Sequence, residues 1–187
     1  LRLLRRHHAT DLAQRLERRG YDWDLDPSRW ELPDEWIADG RTFKVGQTNL
    51  SAMHTPGHTQ GHLVYVAEDR GVLFTGDHIL PHITPSLGLE RRPGALPLRD
   101  YLQSLRAVAR LPDLMMLPAH GPVRSTTRYR VLELLEHHEQ RLDACEALLS
   151  SEPTSALKVA EGLPWTRHRR RLGDLSDFNQ LLAVSET

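Results

Sequence analysis

The stretch His54-Thr55-Pro56-Gly57-His58-Thr59-Gln60-Gly61-His62 decides how this chain is read. It follows one short β-prone run and precedes another. Two further places repeat the pattern: Phe74-Thr75-Gly76-Asp77-His78 and Leu117-Pro118-Ala119-His120-Gly121. In each, an apolar run ends in Gly or Pro, and a His or Asp stands at that end. Loops at strand ends are where a rigid scaffold presents reactive side chains. Imidazole and carboxylate are the ligand types a catalytic zinc takes when it keeps a position open for water. Three such ends in chain order point to a metal-hydrolase site, with His58, Asp77 and His120 as candidate ligands.

Outward from these motifs, the spacing of apolar residues sets the elements. Thr42 to Val45 and Asn49 to Met53 read as a hairpin around Gly46-Gln47, and Leu63 to Val66 with Val72 to Phe74 as a second, closed by Glu68-Asp69-Arg70-Gly71. A Pro- and Gly-containing loop from Pro81 to Pro97 is long enough to suggest a functional role. Residues 98–111 read as a helix, and Leu114 to Leu117 as a short buried strand that delivers His120. Upstream, residues 2–19 form a basic amphipathic helix with Leu3, Leu4, Leu12 and Leu16 on its apolar side and Gly20 as the stop. Residues 21–40 are a Trp- and Asp-rich connection, whose Trp23, Trp30 and Trp36 are expected to cover a core edge. After Pro122 the pattern is helical. Val131, Leu134, Leu135, His138, Leu142, Cys145 and Leu149 share one face, Pro153 ends that helix, Thr154 caps the next over Ser155 to Glu161, and Asp174 or Ser176 opens a last one. The class is α+β.

In Thr55-Pro56-Gly57-His58-Thr59, Thr75-Gly76-Asp77 and Pro118-Ala119-His120-Gly121 the chain resembles the metallo-β-lactamase superfamily, over roughly residues 40–124. The stretch Gly76-Asp77-His78-Ile79-Leu80-Pro81 looks like a soluble hydrolase branch of that family, the one with hydroxyacylglutathione hydrolases and endoribonucleases. The resemblance implies the C-terminal portion of an αβ/βα sandwich: residues 1–124 as the hydrolase domain without its N-terminal part, and residues 125–187 as a helical, winged-helix-like extension, itself incomplete. It implies that His58 binds one zinc, that His120 binds the other, and that Asp77 bridges the two as the catalytic carboxylate. The reaction implied is attack by a metal-bound hydroxide on an ester, thioester, lactone or phosphodiester. A small-molecule ester or thioester is the expected substrate, with RNA as the second class; the motifs serve both. The family's opening motif, His-x-His-x-Asp-His, has no match upstream, since His7-His8-Ala9-Thr10-Asp11 has the wrong spacing and lies in a helical pattern. Half of the metals' ligands are therefore expected to be missing, and the chain is expected to be part of a longer enzyme.

The other histidines read differently. His54 is expected to orient a ligand rather than bind metal, and His62 to be structural. His78 and His82 lie close enough to Asp77 along the chain to contact substrate or donate a proton, with a structural role favoured. His137, His138 and His168 read as structural or solvated. Two rival readings stay open: a degenerate, non-catalytic metal-binding domain, and a nucleic-acid-binding module built on Arg167-His168-Arg169-Arg170-Arg171 beside Trp165.

Composition narrows the class without choosing the chemistry. With 39% hydrophobic and 26% charged residues over 187 positions, the chain is an ordinary globular protein. Its formal net charge of -1 gives no general attraction to nucleic acid or membrane. No apolar run reaches membrane-spanning length. The single cysteine, Cys145, excludes an intrachain disulfide, fits a reducing, cytoplasmic compartment, and falls on an apolar helix stripe as a small hydrophobe. Oligomeric state is not legible.

Overall fold

The computed structural model describes residues 1–20, 31–88, 90, 93–149, 153–166 and 168–187; Trp23, Trp30 and Arg167 lie outside the described residues. In chain order the elements are α1 (Arg2–Arg6), α2 (Thr10–Arg18), β1 (Thr42–Val45), β2 (Thr48–His54), β3 (Leu63–Ala67), β4 (Val72–Gly76), α3 (Pro97–Val108), β5 (Met115–Pro118), α4 (Arg128–Glu146), α5 (Ala156–Gly162) and α6 (Asp177–Glu186). They fall into two compact units, one of Leu32–His137 and one of Leu1–Glu31 with His138–Thr187. The mixed α+β class is the one expected. Among the described residues no helix is long and apolar enough to cross a membrane.

The first unit is built on a five-stranded sheet in the order β1-β2-β3-β4-β5. The first three pairings are antiparallel and the β4–β5 pairing is parallel. That arithmetic positions the site. Strands β2, β4 and β5 all run the same way, so their C-terminal ends, and the three motifs that follow them, lie along one edge of the sheet. A parallel pair needs a long crossover, and the segment containing α3 supplies it.

Alternation along the strands decides which side chains are buried. Val64, Val66, Leu73 and Met116 project from one face into a core completed by Tyr101, Leu105 and Val108 of α3 and by Val131 and Leu134 of α4. The opposite face carries a cross-strand row in which Tyr65 pairs with Phe74 and Phe74 with Leu117. Phe43 meets Tyr65 edge-on there, with centroids 5.8 Å apart, and Phe74 is exposed. Trp36 is 79% exposed, so it does not cover a core edge as expected.

Helix α4 is capped from a distance. Asp113 Oδ1 accepts the backbone N–H groups of Thr127 (3.1 Å) and Arg128 (3.0 Å), and Oδ2 accepts the Thr126 hydroxyl (2.6 Å). These bonds, led by the Thr126 hydroxyl, hold its carboxyl below the usual carboxylate range. A carboxyl whose folded pKa is depressed stabilises the fold above its unfolded pKa, and that contribution disappears as pH falls through the folded value. Asp113→Ala is therefore expected to cost about 1 kcal/mol at neutral pH, the usual worth of a helix cap. Denaturant melts of both proteins at falling pH should show the gap closing once wild-type Asp113 protonates; a gap unchanged in acid would mean that the charge is not what stabilises.

The second unit gathers helices from both ends of the chain. Leu4 of α1, Leu12, Ala13 and Leu16 of α2, Val159 and Ala160 of α5, and Ala183 and Val184 of α6 share its core. The single helix expected over residues 2–19 is broken in two. The chain turns at His8, whose φ of 63° is left-handed, after His7 and Ala9 donate back to α1 carbonyls. The break aims Leu4 into the same core as Leu12 and Leu16 and leaves Leu3 exposed. Ser155, not Thr154, caps α5 with its side chain accepting from Lys158 N; Ser176 caps α6 in the same way, one of the two residues proposed for it. Asp177, buried at the start of α6, pairs with Arg15 of α2 and with Arg19 just after it, at 3.0 and 3.3 Å. On α4, His138 is buried and Cys145 packs against the unit's core, whereas Leu142 and the nearby Leu149 are exposed. Beyond α5 the strand-like feature among the described residues is an isolated antiparallel bridge, Trp165↔Arg170; a wing of paired strands is not shown.

Candidate metal centre

Each motif residue is placed by the strand end before it. Strand β4 stops at Gly76, whose φ of 53° turns the chain where a side chain would be disfavoured. The turn is locked by His78 N–H donating to Thr75 O (3.0 Å) and by the buried Thr75 hydroxyl donating to Ile79 O (2.9 Å). Asp77 stands at its tip, and Ala119 N–H donates to Gly76 O (2.9 Å), drawing the end of β5 and His120 alongside.

His58 is presented by the loop between β2 and β3. Ser104 of α3 donates to Pro56 O (2.9 Å), and Gly88 N–H donates to Gly57 O (2.9 Å), so the Pro56-Gly57 turn is held on two sides. His54 donates from Nε2 to Gln60 O (2.6 Å), a bond that spans the base of the loop and shapes it. His58 Nδ1 donates to Ser86 O (2.7 Å), which leaves Nε2 with its lone pair. A ligand imidazole normally has this support, its second nitrogen held by a carbonyl or carboxylate.

The three expected ligands come together. Asp77 Oδ2 lies 3.9 Å from His58 Nε2, and Asp77 Oδ1 lies 3.3 Å from His120 Nε2. One carboxylate thus offers a different oxygen to each of two imidazoles, a donor set that suits zinc. His120 is largely exposed and Asp77 half-buried, so the site is open on one side. Among the described residues no three His, Cys, Asp or Glu side chains gather tightly enough to hold one cation on their own.

The remaining histidines divide sharply. His62 lies between the first two motifs: its Nε2 accepts from Asp77 N (3.2 Å) and its Nδ1 is 2.9 Å from Thr55 Oγ1. Burial first, and then the neighbouring His58, lower its pKa to about 4. His78 is fully buried, with neither ring nitrogen hydrogen-bonded among the described residues, and packs edge-on against Tyr101 at 4.9 Å. Burial is also the main reason that its pKa falls to about 3. It is therefore a neutral ring enclosed by protein, not one facing the open side. His82 is exposed and lies 3.1 Å from Arg124.

Sequence reasoning did not find the arginines that fix the loop after Asp77. Arg124 donates to Pro81 O (2.8 Å), and Arg130 donates to Leu80 O (2.7 Å) and Ile83 O (3.0 Å). Nothing in their spacing marks them, because they reach back 43 to 50 residues. In the other unit, Trp165 is mostly buried, donates Nε1–H to Ala160 O (2.8 Å) and is covered by Arg141 at 4.3 Å from its ring centroid. That indole does not offer an open face for base stacking, which removes the aromatic part of the nucleic-acid reading.

The family model for the metallo-beta-lactamase superfamily matches residues 2–120, well over half of the chain. The chain belongs to that superfamily. It is 31% identical over 125 residues to the lactamase-like protein nscB of Aspergillus fumigatus, covering 65% of this chain and 34% of that protein. It is 30% identical over 121 residues to an atrochrysone carboxyl ACP thioesterase of the same fungus, again 65% of this chain and 34% of the relative. The chain thus spans about a third of the length of these curated relatives. A metallo-beta-lactamase family protein from Thermus thermophilus has a similar crystal structure, with a TM-score of 0.66 and 27% identity over 95% of this chain and 56% of that one.

Proposed function

We propose that this chain carries part of the centre of a zinc-dependent hydrolase acting on a small-molecule thioester or ester. The observation that carries the reading is the division of Asp77, with one oxygen toward His58 and the other toward His120. His58 and Asp77 would hold one cation, and His120 and Asp77 the other. When bound, zinc supplies Lewis acidity: it polarises an acyl carbonyl and makes water easier to deprotonate near neutral pH.

The chain's own residues supply position and charge. Asp77 would offset part of the charge of the two cations, one carboxylate oxygen being turned toward each imidazole. The Ser86 carbonyl holds the His58 ring in the tautomer that presents a bare Nε2. Arg124 and Arg130 brace the segment just after Asp77 through the Pro81 and Leu80 carbonyls. A catalytic zinc normally takes three protein ligands and a water, whereas this chain would offer each cation one imidazole and one shared carboxylate.

Among substrate classes, a thioester is favoured by the likeness to a protein named as an ACP thioesterase. The test is zinc-dependent turnover of an acyl thioester by the protein containing these residues, set against a lactone and a single-stranded RNA. Thioester cleavage that disappears on chelation and returns with zinc is expected. Preferential cleavage of the RNA would overturn the substrate class, and zinc binding without turnover of any of the three would favour the degenerate domain.

A further inference from the structure

The first and second motifs are joined by an imidazole that has no nitrogen to spare for a metal. His62 lies immediately before β3, eight residues after His54 of β2. Its backbone carbonyl accepts from Thr55 N (2.9 Å), closing the loop that contains His58. Its ring closes the same loop again, Nδ1 lying 2.9 Å from the fully buried Thr55 hydroxyl. The other ring nitrogen, Nε2, lies 3.2 Å from the backbone nitrogen of Asp77. Gly76 leaves room for this contact, because a Cβ there would stand 2.7 Å from Nε2.

The proton positions follow from the partners. A backbone N–H can only donate, so Nε2 must keep its lone pair toward Asp77. The ring hydrogen is then on Nδ1, donated to Thr55 Oγ1. A cationic ring would set N–H against N–H at Asp77. His58 differs in the respect that matters: it uses Nδ1 alone and leaves Nε2 bare.

We propose that His62 is a positioning residue, a neutral Nδ1–H imidazole that ties the His58 loop to the backbone of Asp77 and so sets where the bridging carboxylate stands. The proposal rests on the reading of Asp77 as a residue that holds metal. Two strand ends that are separate in sequence are fixed relative to one another through one ring, which is the task a second layer of residues performs around metal ligands.

The experiment uses the 187-residue chain with ¹⁵N-labelled histidine, and zinc alone as the probe. The His62 ring should show a protonated Nδ1 and an unprotonated Nε2, unchanged when zinc is added, while the His58 resonances move. His62→Leu, which loses both ring bonds, should weaken zinc binding about tenfold to a hundredfold. His62→Gln, whose side-chain carbonyl can accept from Asp77 N, should recover most of that loss. Zinc binding by His62→Leu equal to wild type would overturn the proposal. If that variant does not fold, the wild-type spectrum still decides: a protonated Nε2, or a zinc-induced change at His62 like that at His58, overturns it. A wild-type chain whose histidines ignore zinc would instead sink the metal centre. The tie would then be read from the Asp77 amide proton, which should move upfield in His62→Gln less than in His62→Leu; equal shifts count against it.

Discussion

Replacing Asp77 with Ala is expected to abolish metal-dependent hydrolysis while leaving the fold almost unchanged. The carboxylate faces both His58 and His120, at 3.9 and 3.3 Å, so removing it takes a donor from both proposed cations at once. Metal ions contribute several kcal/mol of transition-state charge stabilisation, and about 4 kcal/mol corresponds to roughly a thousandfold in rate. Stability should respond differently. Asp77 is a half-buried side chain at a turn tip, and the turn is held by backbone and Thr75 bonds that do not involve the carboxylate. Removing a surface side chain of that kind shifts stability by about 0.5 kcal/mol or less. Asp77→Asn keeps the shape and the backbone N–H but offers one oxygen and no charge, so it should be nearly as inactive. Metal content, initial rates and a thermal melt on the same preparations test the set. An Asp77→Ala protein that keeps two zincs and full turnover would refute the bridging role; one that loses activity together with a large drop in melting temperature would show that the carboxylate is structural.

The parts of the fold that sequence predicts are those controlled by local rules. Alternation marks the β3–β4 hairpin, because β3 and β4 each bury every second side chain against one core. Turn residues marked the strand ends, and those ends carry the site because β2, β4 and β5 are parallel in direction. What was not legible depends on contacts between distant residues. The break at His8 follows from burying Leu4 with Leu12 and Leu16, and a helical apolar spacing cannot announce it. The role of His62 depends on the β2–β3 register, which pairs His54 with Leu63 and brings Thr55 opposite His62. His78 could be read as a proton donor from its place beside Asp77, yet the turn after Gly76 sends it inward against Tyr101. Neighbours in sequence at a tight turn need not share an environment.

The two glycines that flank His58 provide the largest expected contrast in stability. Gly57 has φ +140°, a conformation that side chains rarely adopt, and a Cβ there would lie 2.5 Å from Tyr101 Cβ, 2.6 Å from Tyr101 Cα and 2.9 Å from Tyr101 N. Two of those three atoms are backbone of α3, so no rotamer change at Tyr101 relieves the collision, and Tyr101→Ala should not rescue it. The strained conformation alone costs about 1–3 kcal/mol, and overpacking against a fixed helix adds about as much again. Gly57→Ala should therefore lose about 3 kcal/mol or more, a fall of roughly 6–12 °C in melting temperature for a chain of this size. Gly61, four residues on, has nothing within 4 Å of its would-be Cβ and no positive φ. Gly61→Ala should lie within about 0.5 kcal/mol of wild type. The same contrast reaches the site, because relief of the clash must push the Pro56-Gly57 turn off α3, breaking the Ser104 to Pro56 and Gly88 to Gly57 bonds that set the direction of His58. Zinc-induced shifts of the His58 ring should accordingly disappear in Gly57→Ala and persist in Gly61→Ala. Equal melting temperatures for the two variants would mean that α3 does not pack against this turn, and the account of how His58 is presented would fall with it.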